Sequence, residues 1–152
     1  MYSKQEASIL RQQFWTSFGQ YLAPVPASTG CKINWINYKT GIKNINFKMD
    51  AGTDHAYIAI EITHNDREIH QTYFNYLEKL KPVLEDILSE KWTWEPGIAT
   101  NGKMLSRAYH TSSNVNILNQ TDWPEIISFL KHRIILLDRF WTANKEIFEM
   151  LD

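Results

Sequence analysis

Glu61 stands inside the stretch YIAIEITHND, residues 57–66, where Ile58, Ile60 and Ile62 alternate with Ala59, Glu61 and Thr63. That period belongs to a β-strand, with isoleucines on one face and the carboxylate on the other. A strand carboxylate becomes a ligand for a hard divalent cation when further oxygens converge on it. Lys48 and Asp50, on the preceding alternating segment, are the groups able to share such work. A second constellation is Trp92, Trp94, Arg107 and Tyr109. Aromatics interleaved with a guanidinium can stack on nucleic-acid bases, or line a core through cation–π contact. The cluster Glu61, His64, Asp66 and His70 is less suited to a metal. Glu61 and His64 point to opposite faces of a continuing strand, and no HExxH-type spacing exists, so surface placement and helix capping account for it. Cys31, the lone cysteine, reads as an inert thiol. The chain carries no glycine-rich phosphate loop and no nucleophile elbow.

These residues need a scaffold, and the periodicity supplies one. Segments 43–50 and 55–63 alternate strictly and are joined by Ala51-Gly52-Thr53-Asp54. Closing this hairpin with Asp50 opposite His55 places Met49 against Ala56, Phe47 against Ile58 and Ile45 against Ile60, all on one side. The other side then holds Asn44, Asn46, Lys48, Asp50, His55, Tyr57, Glu61 and Thr63, with Asn44 opposite Glu61 and Asp50 six residues away, roughly 20 Å. A second hairpin, 91–99 and 103–111, turns at Asn101-Gly102. Regular pairing sets Trp94 opposite Tyr109 and puts Trp92, Trp94, Arg107 and Tyr109 on one face, with Arg107 packed on Trp94. A short strand is expected at 34–37.

Three helices punctuate the strands. One begins at Ser3 with Glu6 as its capping-box partner and ends at Ala23-Pro24-Val25-Pro26. The second begins after Asn65 and is predicted to kink at Pro82. The third begins near Asp122, with Glu125 completing another capping box, and runs toward the C-terminus with a break. Its apolar residues are too numerous for one stripe, so it is either a central core helix or a helix that also meets a second copy of the chain. The order α-β-β-β-α-β-β-α predicts an α+β fold with a largely antiparallel sheet of about five strands and three helices, in one domain over 1–152.

Composition narrows the function. The 152 residues are 43% hydrophobic and 13% aromatic, ample for a core. The formal net charge of −1 gives no support to generic nucleic-acid binding. No apolar run is long enough to cross a bilayer and no secretory signal is visible, so no membrane is expected. With a single cysteine, a reducing cytoplasm is the expected compartment.

The order of helix, three-stranded meander, helix and strand, with Glu61 on the third strand, resembles the core of PD-(D/E)XK nucleases. The resemblance implies an Asp on the second strand sharing Mg²⁺ with the Glu, and a Lys two residues beyond the Glu. Here those positions hold Asn44 and Thr63. Nearly the whole chain is also similar to a bacterial domain-of-unknown-function family, through Phe14-Trp15, Asn34-Trp35, Lys39-Thr40-Gly41, Trp92-Thr93-Trp94-Glu95 and Asp122-Trp123-Pro124. That resemblance implies no catalytic residues, and only a distant association with DNA-handling or defence systems. The expected function is a non-catalytic binding or accessory module for a protein or nucleic-acid partner, without cofactor or metal, using Lys48, Tyr57, Glu61, Trp94, Arg107 and Tyr109. The alternatives are a diverged Mg²⁺-dependent nuclease-like enzyme acting through Glu61, Lys48 and Asp50, and a homodimer built on the final helix.

Overall fold

The computed structural model describes residues 2–100 and 103–151. The order is α1 (Lys4–Leu22), β1 (Ile45–Ala51), β2 (His55–Ile62), α2 (Arg67–Lys79), α3 (Lys81–Leu88), β3 (Thr93–Thr100), β4 (Lys103–Ser113), α4 (Trp123–Asn144) and α5 (Glu146–Glu149), with a 3₁₀ turn Gln120–Asp122 before α4. One antiparallel sheet is ordered β1-β2-β4-β3. The α+β class and the antiparallel sheet are as expected, but among the described residues the sheet has four strands and is accompanied by five helices. Segment 34–37 is a turn: the Asn34 Oδ1 accepts the Asn37 N–H (3.2 Å), offering the backbone a local alternative to pairing. The Asn101-Gly102 turn lies outside the described residues.

The helix starts show what local rules capture. Ser3 and Glu6 form the expected capping box. At α2 the cap is Asp66, one residue later than expected, whose Oδ1 accepts the N–H of Glu68 and Ile69. Before α4 no capping box forms, because the Asp122 carboxylate accepts the Asn116 N–H instead (2.9 Å). Pro82 breaks the long second helix rather than kinking it: the chain restarts at Leu80, and the proline occupies the first turn of α3, where its missing donor costs nothing.

The helices cover one face of the sheet. Ile58, Ile60 and Ile62 of β2, Ile45 and Phe47 of β1 and Ala108 of β4 are buried beneath them. The α4 helix touches β2, α1 and α3, and buries Ile126, Leu130, Ile134, Leu137, Phe140 and Trp141. Its broad apolar surface is thus used inside the chain, as a central helix requires.

The first hairpin keeps the expected faces but pairs two residues out of the expected register. Ala51 is opposite Ala56, Met49 opposite Ile58, Phe47 opposite Ile60 and Ile45 opposite Ile62. The cause is long-range. Loop 52–55 closes on itself through Gly52 N–H to His55 O (2.7 Å), and is pinned by Asn114 N–H to Asp54 O and Ile117 N–H to Gly52 O.

The second hairpin departs further. Ile98 opposes Leu105 but Glu95 opposes Arg107, so Pro96 and Gly97 together face Ser106. This is a β-bulge on an edge strand, where proline is tolerated; Gly97 has φ +61°, the left-handed region that glycine adopts freely. Its N–H donates to Ser106 Oγ (2.9 Å), and Ser106 Oγ is 2.7 Å from His70 Nε2, whose Nδ1 lies 3.0 Å from the His64 carbonyl. Ser106 and His70 are both buried. Beyond the bulge the faces exchange: Trp94 opposes Ala108 on the helical side, and Trp92 stacks on His110.

Glu90 ties the same region to α4. Its carboxylate takes both Arg133 Nη2 (2.7 Å) and Nε (2.9 Å), plus the Trp92 indole N–H (2.9 Å). Burial alone would raise its pKa, but the Arg133 and Trp92 hydrogen bonds and the Arg133 charge outweigh it and hold the carboxyl below its ordinary value.

Two stability measurements follow. Ser106→Ala leaves the Gly97 N–H and His70 Nε2 without their shared partner and is expected to cost about 3 kcal/mol in denaturant unfolding; a loss below about 1 kcal/mol means the bulge does not depend on this hydroxyl. Glu90 has a lowered folded pKa, so its contribution is present above the ordinary carboxyl pKa and disappears as pH falls through the folded value. Glu90→Gln should therefore be less stable by about 2 kcal/mol at neutral pH, with the gap closing below about pH 4. A gap independent of pH would contradict this assignment.

Candidate functional site

The face of the sheet away from the helices carries three rows of side chains. The first reads Asn46, Glu61, Arg107 and Glu95 across β1, β2, β4 and β3. The second reads Lys48, Ala59, Tyr109 and Thr93, and the third Asp50, Tyr57 and Thr111. Asn46, Lys48, Thr93 and Thr111 are exposed, and Tyr57, Glu61, Arg107, Tyr109 and Glu95 half-buried. Yet Ala59, at the centre, is 0% exposed. A methyl on an open sheet can be sealed off only by its neighbours leaning across it, so the larger side chains form a continuous layer over this point.

Arg107 is held in place. Arg107 donates from Nε to Glu95 Oε1 (2.7 Å), and its guanidinium lies 4.4 Å from the centre of the Tyr109 ring. Burial works against the Arg107 charge, but the Glu95 hydrogen bond and charge, with Tyr109 and Tyr57 nearby, raise its pKa above the ordinary value. Lys48 is raised as well, chiefly through Tyr57 and further through Glu61 and Asp50, which together outweigh the opposing effect of burial. The His55 ring stacks beside Tyr57 at 6.0 Å.

Five of the six residues singled out from sequence, Lys48, Tyr57, Glu61, Arg107 and Tyr109, therefore share one surface. Trp94 does not. The bulge turns it to the helical side, where it meets Phe74 edge-on and lies under the Lys81 ammonium (5.7 Å). Arg107 packs on Tyr109 rather than on Trp94, Thr93 stands opposite Tyr109 where Trp94 is expected, and Glu95 opposes Arg107.

Residues 10–145 match the family model DUF4268, described as a domain of unknown function. The chain belongs to this family. No curated protein and no solved structure matches it significantly. The DUF4268 match spans the entire sheet and α4, so it includes the whole of the open face.

For metal chemistry the geometry of this DUF4268 sheet is poor. Glu61 is opposite Asn46, not Asn44, and Asp50 lies four residues further along β1. That separation is about 13 Å, shorter than the sequence suggests but beyond the reach of one ion. Among the described residues no three His, Cys, Asp or Glu side chains group as metal ligands would. His64 and His70 serve the local backbone: His64 Nδ1 accepts the Asp66 N–H, and His70 bridges to Ser106.

Sequence reasoning missed Glu95 and Ala59. Glu95 could have been found by treating Pro96-Gly97 as a bulge, since that pair inside a strand pattern is its usual signal. The Trp94 indole nitrogen is buried with no hydrogen-bond partner among the described residues. Trp94→Phe removes this unsatisfied donor together with some ring contact, and is expected to change stability by less than about 1 kcal/mol. A loss of about 3 kcal/mol on thermal unfolding would contradict this expectation.

Proposed function

We propose that this chain is a non-catalytic binding module whose open sheet face receives a protein partner. The carrying observation is the packed layer over Ala59: Lys48, Tyr57, Glu61, Arg107, Tyr109 and Glu95 lie side by side on the one sheet face without helices. Tyr and Arg are the residue types that dominate protein-interface energetics, and here they are held before any partner arrives, which lowers the entropy lost on association. The charges speak for protein rather than nucleic acid. Lys48 and Arg107 are balanced on the same face by Glu61, Glu95 and Asp50, whereas a phosphate-binding surface presents unbalanced positive charge. The resemblance to nuclease-associated proteins is the ground for a DNA-handling context, in which the module would bind an enzyme rather than act as one.

The test compares wild type with Arg107→Gln, which keeps a donor toward Glu95, and Tyr109→Ala as bait for partners from the source cells. A specific partner should lose about tenfold in affinity with each variant, while melting temperatures stay within about 3 °C of wild type. Hydrogen exchange in the complex should show protection confined to the strands of the sheet, β1 to β4. A DNA or RNA gel shift that weakens steeply with salt would transfer the surface to nucleic acid. Mg²⁺-dependent plasmid cleavage abolished by Glu61→Gln would replace the proposal with the enzyme reading.

A further inference from the structure

The longest stretch without helix or strand runs from 23 to 44, and it is firmly attached. Ser28 gives its backbone N–H (2.7 Å) and its hydroxyl (2.9 Å) to Asp138 Oδ2, and Tyr38 gives its hydroxyl to Oδ1 (2.5 Å). The Trp141 indole N–H donates to the Thr40 carbonyl (2.7 Å). Between this segment and α4 lies a cleft of about 640 Å³, of a size that holds a small organic ligand.

Its floor poses a charge problem. Asp138 is 3% exposed, and among the described residues no Lys, Arg or His nitrogen lies within 4.0 Å of it. Hydroxyl and amide donors solvate a buried carboxylate without neutralising it, and buried charges are normally paired. Room for a partner remains. Ser28 occupies Oδ2 twice, but Oδ1 has only Tyr38 and a long 3.5 Å approach from Thr142 Oγ1. Positive charge is found at other lining residues: Lys39 is exposed and Lys145 half-buried. Asp138, Trp141, Thr142 and Lys145 follow one face of α4, with Lys145 two turns, about 10 Å, beyond Asp138. The cleft therefore offers negative charge at its floor and positive charge at a fixed distance, separated by an aromatic wall.

We propose that this cleft binds a small zwitterion, its ammonium on Asp138, its anionic end at Lys39 and Lys145, and its carbon chain along Trp141. The ammonium supplies the cation Asp138 lacks. Tyr38 remains a donor to Asp138 throughout, because burial and then the Asp138 hydrogen bond hold its phenol well above the ordinary pKa. This site lies on the helical side of the sheet and does not depend on the binding role of the open face.

The test titrates the full chain with 4-aminobutyrate, n-butylamine and butyrate while following the assigned Trp141 indole N–H resonance by NMR. The zwitterion should saturate the shift at about millimolar concentration, with each single-charge probe at least about tenfold weaker. Lys145→Met and Lys39→Met should reduce 4-aminobutyrate to the level of butylamine and leave butylamine unchanged. Absence of a saturable shift with all three probes up to about 50 mM would overturn the proposal. So would a single-charge probe that matches 4-aminobutyrate, or lysine variants that bind it as wild type does.

Discussion

The hydroxyl of Ser106 holds the amide of Gly97, and both faces of the sheet depend on it. Two residues of β3, Pro96 and Gly97, stand against one of β4, so every side chain before them changes sides. Trp92 and Trp94 are sent to the helical layer, where Trp92 is buried against His110 and linked to Glu90. Glu95 is sent to the open layer, where it fixes Arg107. Without the bulge two indoles would be exposed and the guanidinium would lose its carboxylate. His70 completes the device from α2, so the bulge, the helix and the strand are set together.

Buried polar groups decide this fold where apolar burial does not. Sliding the first hairpin by two residues keeps every isoleucine beneath the sheet, because parity is preserved. The hydrophobic contribution of the two registers is then nearly the same: Ile45 faces Ile60 in one and Ile62 in the other. Hydrogen bonds separate them, although each is worth only about 1 kcal/mol net. Thr40 Oγ1 donates to the carbonyl of Ile45 at one end of β1, and Arg11 donates to the carbonyl of Ala51 at the other. Loop 52–55 is anchored by residues 114 and 117, which follow β4. A slip would leave several of these groups buried and unpaired, at about 1–3 kcal/mol each. Glu90–Arg133 and Asp138–Ser28–Tyr38 act in the same sense, joining α4 to segments far away in sequence.

These pins also explain what could be read from sequence. Periodicity gave the long helical segments, though not the break at Leu80 or the short α5, together with the first hairpin and the face to which each residue of β1 and β2 belongs, because parity is a local property. It therefore placed Lys48, Tyr57 and Glu61 together. It could not give the register within that parity, since the deciding contacts come from Thr40, Arg11 and the segment after β4. The error at Trp94 has a different origin. Regular pairing does not pass through Pro96-Gly97, because proline and glycine inside a strand are the local mark of a bulge. Capping failed where tertiary partners competed: the Asp122 carboxylate, well placed for a cap, is taken by Asn116. The strand expected at 34–37 failed because Trp35 is buried through a loop, its indole bonded to the Val25 carbonyl.

The same competition bears on where function resides. Strand β1 serves two surfaces at once. Its odd residues face the helices, where Phe47 stacks on Tyr38 and meets Trp141, both of which line the cleft. Its even residues Asn46, Lys48 and Asp50 belong to the open face. Neither surface uses a run of like charge or a sequence motif, which is why neither announces itself in the chain. On the open face, cations and carboxylates alternate across strands that are distant in sequence. In the cleft, Asp138 is one of several charged residues of α4, and only its burial at 3% exposure sets it apart. Asp138 and Arg139 together interrupt the apolar run from Ile134 to Trp141, and a buried carboxylate needs more partners than the single long approach of Thr142 on the same helix. Only the folded chain shows that Ser28 and Tyr38 provide hydrogen bonds there, and that among the described residues no cation does.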